Sequence, residues 1–420
     1  MNHPASAAPP SFAAWRYPRF RAHVCTYALA MMADNVEHVI SYWVVFQKFH
    51  SPALGGFAVI SHWLPFLFFS VPVGALAERL DPRRLIQLGM TMFAAVSLCW
   101  GYLFVTESLQ MWQAMVLLVL HGCSGVFWQT SSQLLLYDIV KVSELPSAVR
   151  MMATARYLGI LVGPAVGGLI MLTLGPARGI LLNATFYLPV FLWMCWAPYG
   201  PKFRDAAQVP ARIAVRGLAD IIRTLRDVSG IPAITVMVSL AGAASFFVGN
   251  SYHAQMPGFA HDLGHGDPGV LYSLLLAADA AGALTAGLVL EGRGLLPPHP
   301  RTALLLALGW CVSLIGFALV SAYPIALLAL FACGFLELSF NSMAQTLVQL
   351  NAPTDMRGRV IGLFNMASMG MRAGAGLTVG LLGSAIGIHW SLSLAAGALM
   401  GVISVLFLRM RRRTAVERQS

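Results

Sequence analysis

Twelve apolar segments begin near His23, Ala53, Leu85, Met111, Arg150, Gly179, Ala233, Gly269, Ala303, Pro324, Arg359 and Ser391, and the connectors between them alternate in charge. The N-terminus, the even-numbered connectors and the C-terminus hold 23 of the 27 lysine and arginine residues. The odd-numbered connectors hold only Lys48 and Arg178, while Arg156 and Arg372 fall inside segments. Basic residues stay on the cytoplasmic face of a membrane, so the alternation gives a topology directly. It predicts a polytopic inner-membrane protein with both termini cytoplasmic.

Composition supports this. Charged residues make up 10% of the chain and hydrophobic ones 58%, against about a quarter charged in soluble proteins. Twelve spans of ~20 residues leave no room for a soluble domain. The net charge of +10 comes from arginines placed against anionic headgroups, so the bilayer is the expected partner and nucleic acid is not. All six cysteines (Cys25, Cys99, Cys123, Cys195, Cys311, Cys333) fall in predicted spans and form no CxxC pair, which excludes a disulfide framework and a thiolate zinc site. The first apolar block is too long for a signal-peptide core and is read as span one.

Backbone amides cannot stay unpaired in lipid, so each span must be a helix. The expected fold is an all-α membrane protein, twelve transmembrane helices in two pseudo-symmetric six-helix bundles. Residues 1–22 form a cytoplasmic N-terminal segment, 23–198 the first bundle, 199–230 a linker, 231–410 the second bundle and 411–420 a basic tail. Within the linker, Pro198, Gly200 and Pro201 end span six. Arg212, Arg216, Asp220, Arg223 and Asp227 then follow at steps of three and four, opposite Ile213, Leu218, Ile221, Ile222 and Leu225. This is the pattern of an amphipathic helix on the inner leaflet. The halves repeat each other. Gly74…Glu78 closes span two as Gly287…Glu291 closes span eight, and Arg150 heads span five as Arg359 heads span eleven. Internal repeats of this kind characterise secondary transporters, with substrate sites between the repeats near the midplane.

Two motifs carry mechanism. The first runs from Gly74 through Glu78, Arg79, Asp81 and Arg83 to Arg84, in the turn after span two. Glycine permits close helix contact, and the acid can face the positive N-terminus of another helix while the arginines pair across an interface. The second is Gly159, Gly163, Pro164, Gly167 and Gly168 in span five, a flat ridge for helix packing with a proline that removes one backbone hydrogen bond.

The first motif resembles the G-x-L-x-D-R-x-x-R-R signature of the major facilitator superfamily, with Glu78 in place of the usual aspartate. The resemblance implies that Glu78 faces the start of span eleven, near Arg357 and Arg359, and stabilises an outward-open state. The span-five motif resembles G-x-x-x-G-P-x-x-G-G of drug:proton antiporters, which implies export. Phe20-Arg21, Leu64-Pro65, Ala155-Arg156 and Arg357-Gly358-Arg359-Val360 resemble the branch that contains macrolide efflux pumps and enterobactin-type siderophore exporters. His121 with Gly125 is only weakly similar to the superfamily's R-x-x-x-G element in span four, because the arginine is absent.

Ionisable groups inside the membrane are costly and mark pathways. Asp34, Glu37 and His38 share one face of span one, and with Asp279 and Glu337 they are the candidate proton-coupling residues. Arg372 needs a counter-charge, for which Glu337 and Asp279 are the acids available in the second half. Arg156, Arg372, Trp128, Gln129, Gln133, Phe246, Phe247, Asn250 and Tyr252 are candidate cavity residues suited to a bulky amphipathic ligand. The stretch His261-Asp262…His265-Gly266-Asp267 offers metal-ligand types but reads as a solvated loop, and no metal site or cofactor is expected.

The function expected is a proton-coupled exporter of a small amphipathic molecule (drug, siderophore or metabolite), working as a single chain and energised by the proton gradient. An importer or facilitator on the same scaffold, and a non-transporting membrane sensor, are the alternatives. A membrane enzyme is not expected, because the chain has no HExxH, no phosphate-binding glycine loop and no Ser/His/Asp set near an interface.

Overall fold

The structure, a computed structural model, describes residues 11–50, 52–200, 203, 215–249, 251–264, 270–293 and 296–416. All regular structure among them is helical. The first half comprises α1 (Pro18–Phe49), α2 (Pro52–Arg79), α3 (Pro82–Val105), α4 (Met111–Ile139), α5 (Leu145–Thr185) and α6 (Leu188–Trp196). A short α7 (Ala219–Val228) lies between the halves in sequence. The second half comprises α8 (Pro232–Phe247), α9 (Ser251–Ala254), α10 (Met256–Asp262), α11 (Val270–Gly292), α12 (Pro300–Leu319), α13 (Tyr323–Asn351), α14 (Arg357–Asn365), α15 (Arg372–Ala375), α16 (Leu382–Ile386) and α17 (Ile388–Val416).

Nine helices among the described residues are long and apolar enough to cross a bilayer. One of them, Val142–Trp196, runs for 55 residues and turns back on itself at Gly175, whose φ of 75° lies in the left-handed region and which precedes Pro176. A Cβ on Gly179 would stand 2.6 Å from Ile170 Cγ2, whereas nine residues of straight helix would separate the two by ~13 Å. That segment therefore holds two passes. The remaining lengths for the twelve-span expectation are α1, which carries Asp34 and Glu37 within its apolar run, and the broken run from α14 to α16. Two π-helical turns, Met366–Gly370 and Gly376–Leu381, interrupt that run. Such turns free backbone groups in the middle of a membrane helix, where only a protein-lined cavity tolerates them.

Each half has its own apolar core. Phe20, Tyr27, Phe93, Trp128 and Tyr187 centre one, and Trp310, Phe317, Leu330 and Phe340 centre the other. Glycines set the closest helix contacts. A Cβ on Gly334 of α13 would fall 1.8 Å from the Asp279 carbonyl oxygen of α11, and one on Gly282 would fall 1.9 Å from that of Phe331. The span-five glycines do the same work against α1: Gly159 lies on Met31, Gly163 on Asn35 and Gly167 on Val36. Gly168 has nothing within 4 Å, and Pro164 is exposed on the outer surface of α5. The motif thus seats α5 directly on the stretch of α1 that carries the intramembrane charges.

Of the linker residues, Arg212 and Ile213 lie outside the described residues, while Asp220, Arg223 and Asp227 sit on α7. Asp220 is buried, and the Arg223–Asp227 pair at 3.6 Å is exposed.

Gly334→Val would push backbone against backbone, a change we expect to destabilise the protein by about 3 kcal/mol. The expected result is a clear drop in thermal unfolding temperature in detergent, whereas Gly316→Ala, which has nothing within 4 Å, leaves the temperature unchanged. Equal melting of the two variants would contradict the packing described.

Candidate functional site: two ion-pair latches and two polar clusters

At the arginine-rich end of the bundle the two halves are joined twice. In the first joint a Cβ on Gly74 would lie 2.0 Å from the Gly358 carbonyl oxygen, so α2 and the start of α14 are in backbone contact. That contact delivers Glu78 to the N-terminus of α14, where its carboxylate accepts the Arg359 backbone N–H at 2.8 Å and the Arg359 guanidinium at 2.5 Å. Orphan amides and the helix dipole both favour an anion there. Asp220 of α7 lies 3.7 Å from the same guanidinium, which places the linker helix on the joint.

The second joint repeats the design. Gly287 of α11 abuts Thr154 of α5, where a Cβ would lie 2.0 Å from Oγ1. Glu291 pairs with Arg150 Nε at 2.7 Å and accepts the Ser147 hydroxyl. The chain start closes over it, because the Ala14 N–H donates to Ser147 Oγ at 3.0 Å and Ser11 bonds the Gly292 carbonyl. The internal repeat seen in the sequence is thus a repeated ion pair, each crossing from one half to the other.

The first-motif arginines divide differently from expectation. Arg359 holds Glu78, but Arg357 stacks on Tyr137 at 4.2 Å. Arg83 folds back on Asp81 and the Ala197 carbonyl, and Arg79 is exposed at the end of α2. The reason is geometric. Glu78 points along the axis of α14, so it meets the first free backbone amides and the guanidinium beside them.

Between the halves, on the far side of the latches, lies a cavity of about 240 Å³ lined by Asp34, Asn35, His38, His62, Trp63, Gln129, Arg156 and Arg372, among others. A smaller one of about 50 Å³, lined by Gln133, Tyr157 and Asn341, shares Arg156 and Arg372. The sequence candidates Gln129, Gln133, Arg156 and Arg372 therefore meet. Trp128 does not join them: it is fully buried and packs on Tyr27 at 4.8 Å. Phe246 and Phe247 lie edge-to-face with each other, and their carbonyls accept the Thr378 hydroxyl. Asn250 lies outside the described residues.

His121 of α4 is the hub of the first polar cluster. Its Nε2 lies 2.7 Å from Asp34 Oδ1 and its Nδ1 2.8 Å from Glu37 Oε1. Each contact needs a hydrogen, so the trio carries one proton more than a neutral imidazole between two carboxylates. Glu37 also accepts the hydroxyls of Ser97 and, at 3.4 Å, of Tyr187. His38 does not face Glu37; its Nε2 lies 3.2 Å from His62 Nδ1. Neither His121 as hub nor His62 was found by sequence reasoning. A histidine in an apolar span is a signal only when its partners on other helices are known.

The second cluster mirrors the first in the other half. The Tyr252 hydroxyl lies 3.2 Å from Asp279 Oδ1 and 3.4 Å from Glu337 Oε2, and His253 Nε2 lies 3.1 Å from Asp279 Oδ2. The expected pairing of Arg372 with either acid is not made. Its guanidinium stacks on Trp63 at 4.7 Å and donates to the Ser368 carbonyl at 3.2 Å, because the π-helical turn before Arg372 aims it into the cavity instead of across to α11 and α13. At the exposed rim, hydrogen bonds from His261 and His389 hold the Asp262 carboxyl below its ordinary pKa. The stretch that includes His265 and Asp267 lies outside the described residues.

Removing the hub is predictable. His121→Ala leaves Asp34 and Glu37 buried together without their shared partner, a change expected to cost about 3–5 kcal/mol. Thermal unfolding of the purified variant should fall markedly, and a wild-type melting curve would show that the trio is not the bonded unit described.

Comparison with known proteins agrees with this architecture. Residues 10–420 match the family described as transmembrane secretion effector. The multidrug efflux pump Tap of Mycolicibacterium fortuitum is 25% identical over 397 residues, covering 91% of this chain and 94% of the pump. The human organic anion transporter MFSD10 (TETRAN) superposes with a TM-score of 0.70 at 16% identity, covering 93% of this chain and 100% of its own. The E. coli fucose:proton symporter FucP in its outward conformation gives 0.68 at 15% identity, covering 92% and 97%. At such identities the structural likeness speaks for the fold alone. The chain therefore belongs to the transmembrane secretion effector family, transporters of the major facilitator superfamily.

Proposed function

We propose that this chain is a secondary active exporter that moves a small amphipathic molecule out of the bacterial cytoplasm across the inner membrane, in exchange for protons, by alternating access. The observation that carries the reading is the pair of crossing ion pairs, Glu78–Arg359 and Glu291–Arg150, which close the arginine-rich end while a cavity lies beyond them. By the positive-inside rule that end is cytoplasmic, so the state described is closed to the cytoplasm and both termini lie inside. The multidrug efflux activity named for Tap supports export of amphipathic cargo. A single chain contains both halves of the cavity and both latches, so the monomer suffices.

Proton exchange is assigned to the buried carboxylates. In the second half Asp279 and Glu337 share one tyrosine hydroxyl, and His253 serves Asp279 alone. One hydroxyl hydrogen satisfies one acceptor at a time, so Glu337 is the group we assign to take up and release a proton as the halves rock. Substrate release outward and proton entry would then be successive uses of the same opening, and the latches would re-form only when the cavity has exchanged its contents.

The test is transport in everted membrane vesicles with ethidium as the probe. Wild type should accumulate ethidium when a proton gradient is imposed and lose it on adding an uncoupler. Glu337→Gln, inserted at wild-type levels, should lose gradient-driven accumulation by at least tenfold. Accumulation by Glu337→Gln equal to wild type would remove this residue from coupling, and wild-type accumulation indifferent to the uncoupler would remove proton exchange altogether.

A further inference from the structure

We propose that Asp34, His38, His62 and His121 form a binding site for a divalent transition-metal ion of the zinc and cobalt class, built into the wall of the cavity. The sequence analysis expected no metal. The structure brings three imidazoles and one carboxylate from α1, α2 and α4 together, with one ligand atom from each lying within 4.8 Å of all the others. Imidazole with a single carboxylate is a donor set for zinc, cobalt or nickel rather than for calcium or magnesium.

Metal–ligand bonds of ~2.1 Å place the donors of a tetrahedral site ~3.4 Å apart. The His38 Nε2–His62 Nδ1 separation of 3.2 Å already has that length. The His121–Asp34 contact of 2.7 Å must open by about 0.7 Å to reach it, which side-chain rotation supplies. The backbone is arranged for the purpose. A Cβ on Gly122 would meet the Ser61 carbonyl oxygen at 2.3 Å, so α4 and α2 touch at the residues next to His121 and His62. Asp34 and His38 stand one turn apart on α1.

A second, independent observation points the same way. Metal-bound histidines hold their other ring nitrogen against a carboxylate that fixes the tautomer and the ring plane. His121 has that partner: Glu37 on Nδ1 at 2.8 Å, itself held by Ser97 and Tyr187. A network serving only to satisfy buried carboxylates would be complete with His121 and would leave His38 and His62 without a task. Both are half-buried and, with Asp34, line the cavity.

Arg156 and Arg372 line the same cavity and repel a bare dication. They match the carboxylates of a small anionic chelate that keeps coordination positions open for the histidines. The shared chemistry is a transition-metal centre, reaching the site either as the free ion or inside such a chelate. This deepens the export reading by naming what the cargo carries, but binding to purified protein is measured without flux, so it stands or falls separately from proton-driven export.

The experiment titrates purified full-length protein with Co²⁺ alone and with Co²⁺ citrate, following the visible absorption of four-coordinate cobalt and its loss on adding Zn²⁺. Wild type should develop the absorption. His62→Ala and His38→Ala, each checked for unchanged size-exclusion profile, should weaken binding at least tenfold, and His261→Ala, on the exposed rim, should not. Arg372→Gln should weaken the citrate complex alone if the chelate is the bound form, and neither titration if the free ion is. Absence of absorption in wild type with both probes, binding unchanged in His62→Ala and His38→Ala, or loss in His261→Ala would overturn the proposal.

Discussion

Everything in this molecule depends on two carboxylates that cross from one half to the other at glycine contacts. A buried ion pair is a poor source of net stability, because desolvation offsets the Coulomb gain, but breaking one by removing a partner costs about 3–5 kcal/mol. At the water-reachable end of a helical bundle this asymmetry is useful. When the halves separate, Glu78, Arg359, Glu291 and Arg150 all regain water, so opening costs far less than mutation does. Glycine at Gly74, Gly358 and Gly287 brings the backbones close enough for short side chains to pair. The joint is therefore specific when closed and reversible.

Above the latches, each half holds its ionisable groups in a knot of its own. The first knot is centred on His121 between Asp34 and Glu37, the second on Tyr252 between Asp279 and Glu337. The glycine ridge of α5 presses on α1 at the very turns that carry Asp34 and Glu37, so a change in the first knot is felt by the helix that also carries Arg150. On the other side, the π-helical turns between α14 and α15 place Arg372 in the cavity on the same broken run that begins with Arg359. The contents of the cavity and the state of each latch are thus linked by a single continuous element in each half.

Much of this was legible in the sequence, and the reasons are physical. Topology follows from the arginine alternation because the membrane imposes it on every connector. The Glu78–Arg359 joint follows from a fixed-offset glycine and acid, and the repeat Gly287…Glu291 marks the place of its twin. What the sequence could not carry is convergence between helices. His121 lies 84 residues from Glu37 and His62 lies 24 from His38, and no periodicity links them. The expected pairing of Arg372 with Glu337 or Asp279 failed because a sequence does not reveal a π-helical turn, which rotates every later side chain. Trp128 was expected at the cavity from its residue type alone, and its helix face turns it into the core instead.

The central claim is that the two crossing ion pairs hold the halves together at the cytoplasmic end. The most direct measurement is the distance between spin labels at Lys141 and Arg301, exposed positions on opposite halves at that end, recorded by pulsed electron paramagnetic resonance. The account predicts a single short distribution in the otherwise wild-type protein and a majority population at longer distance in Glu78→Gln/Glu291→Gln. A distribution unchanged by the double substitution would contradict it.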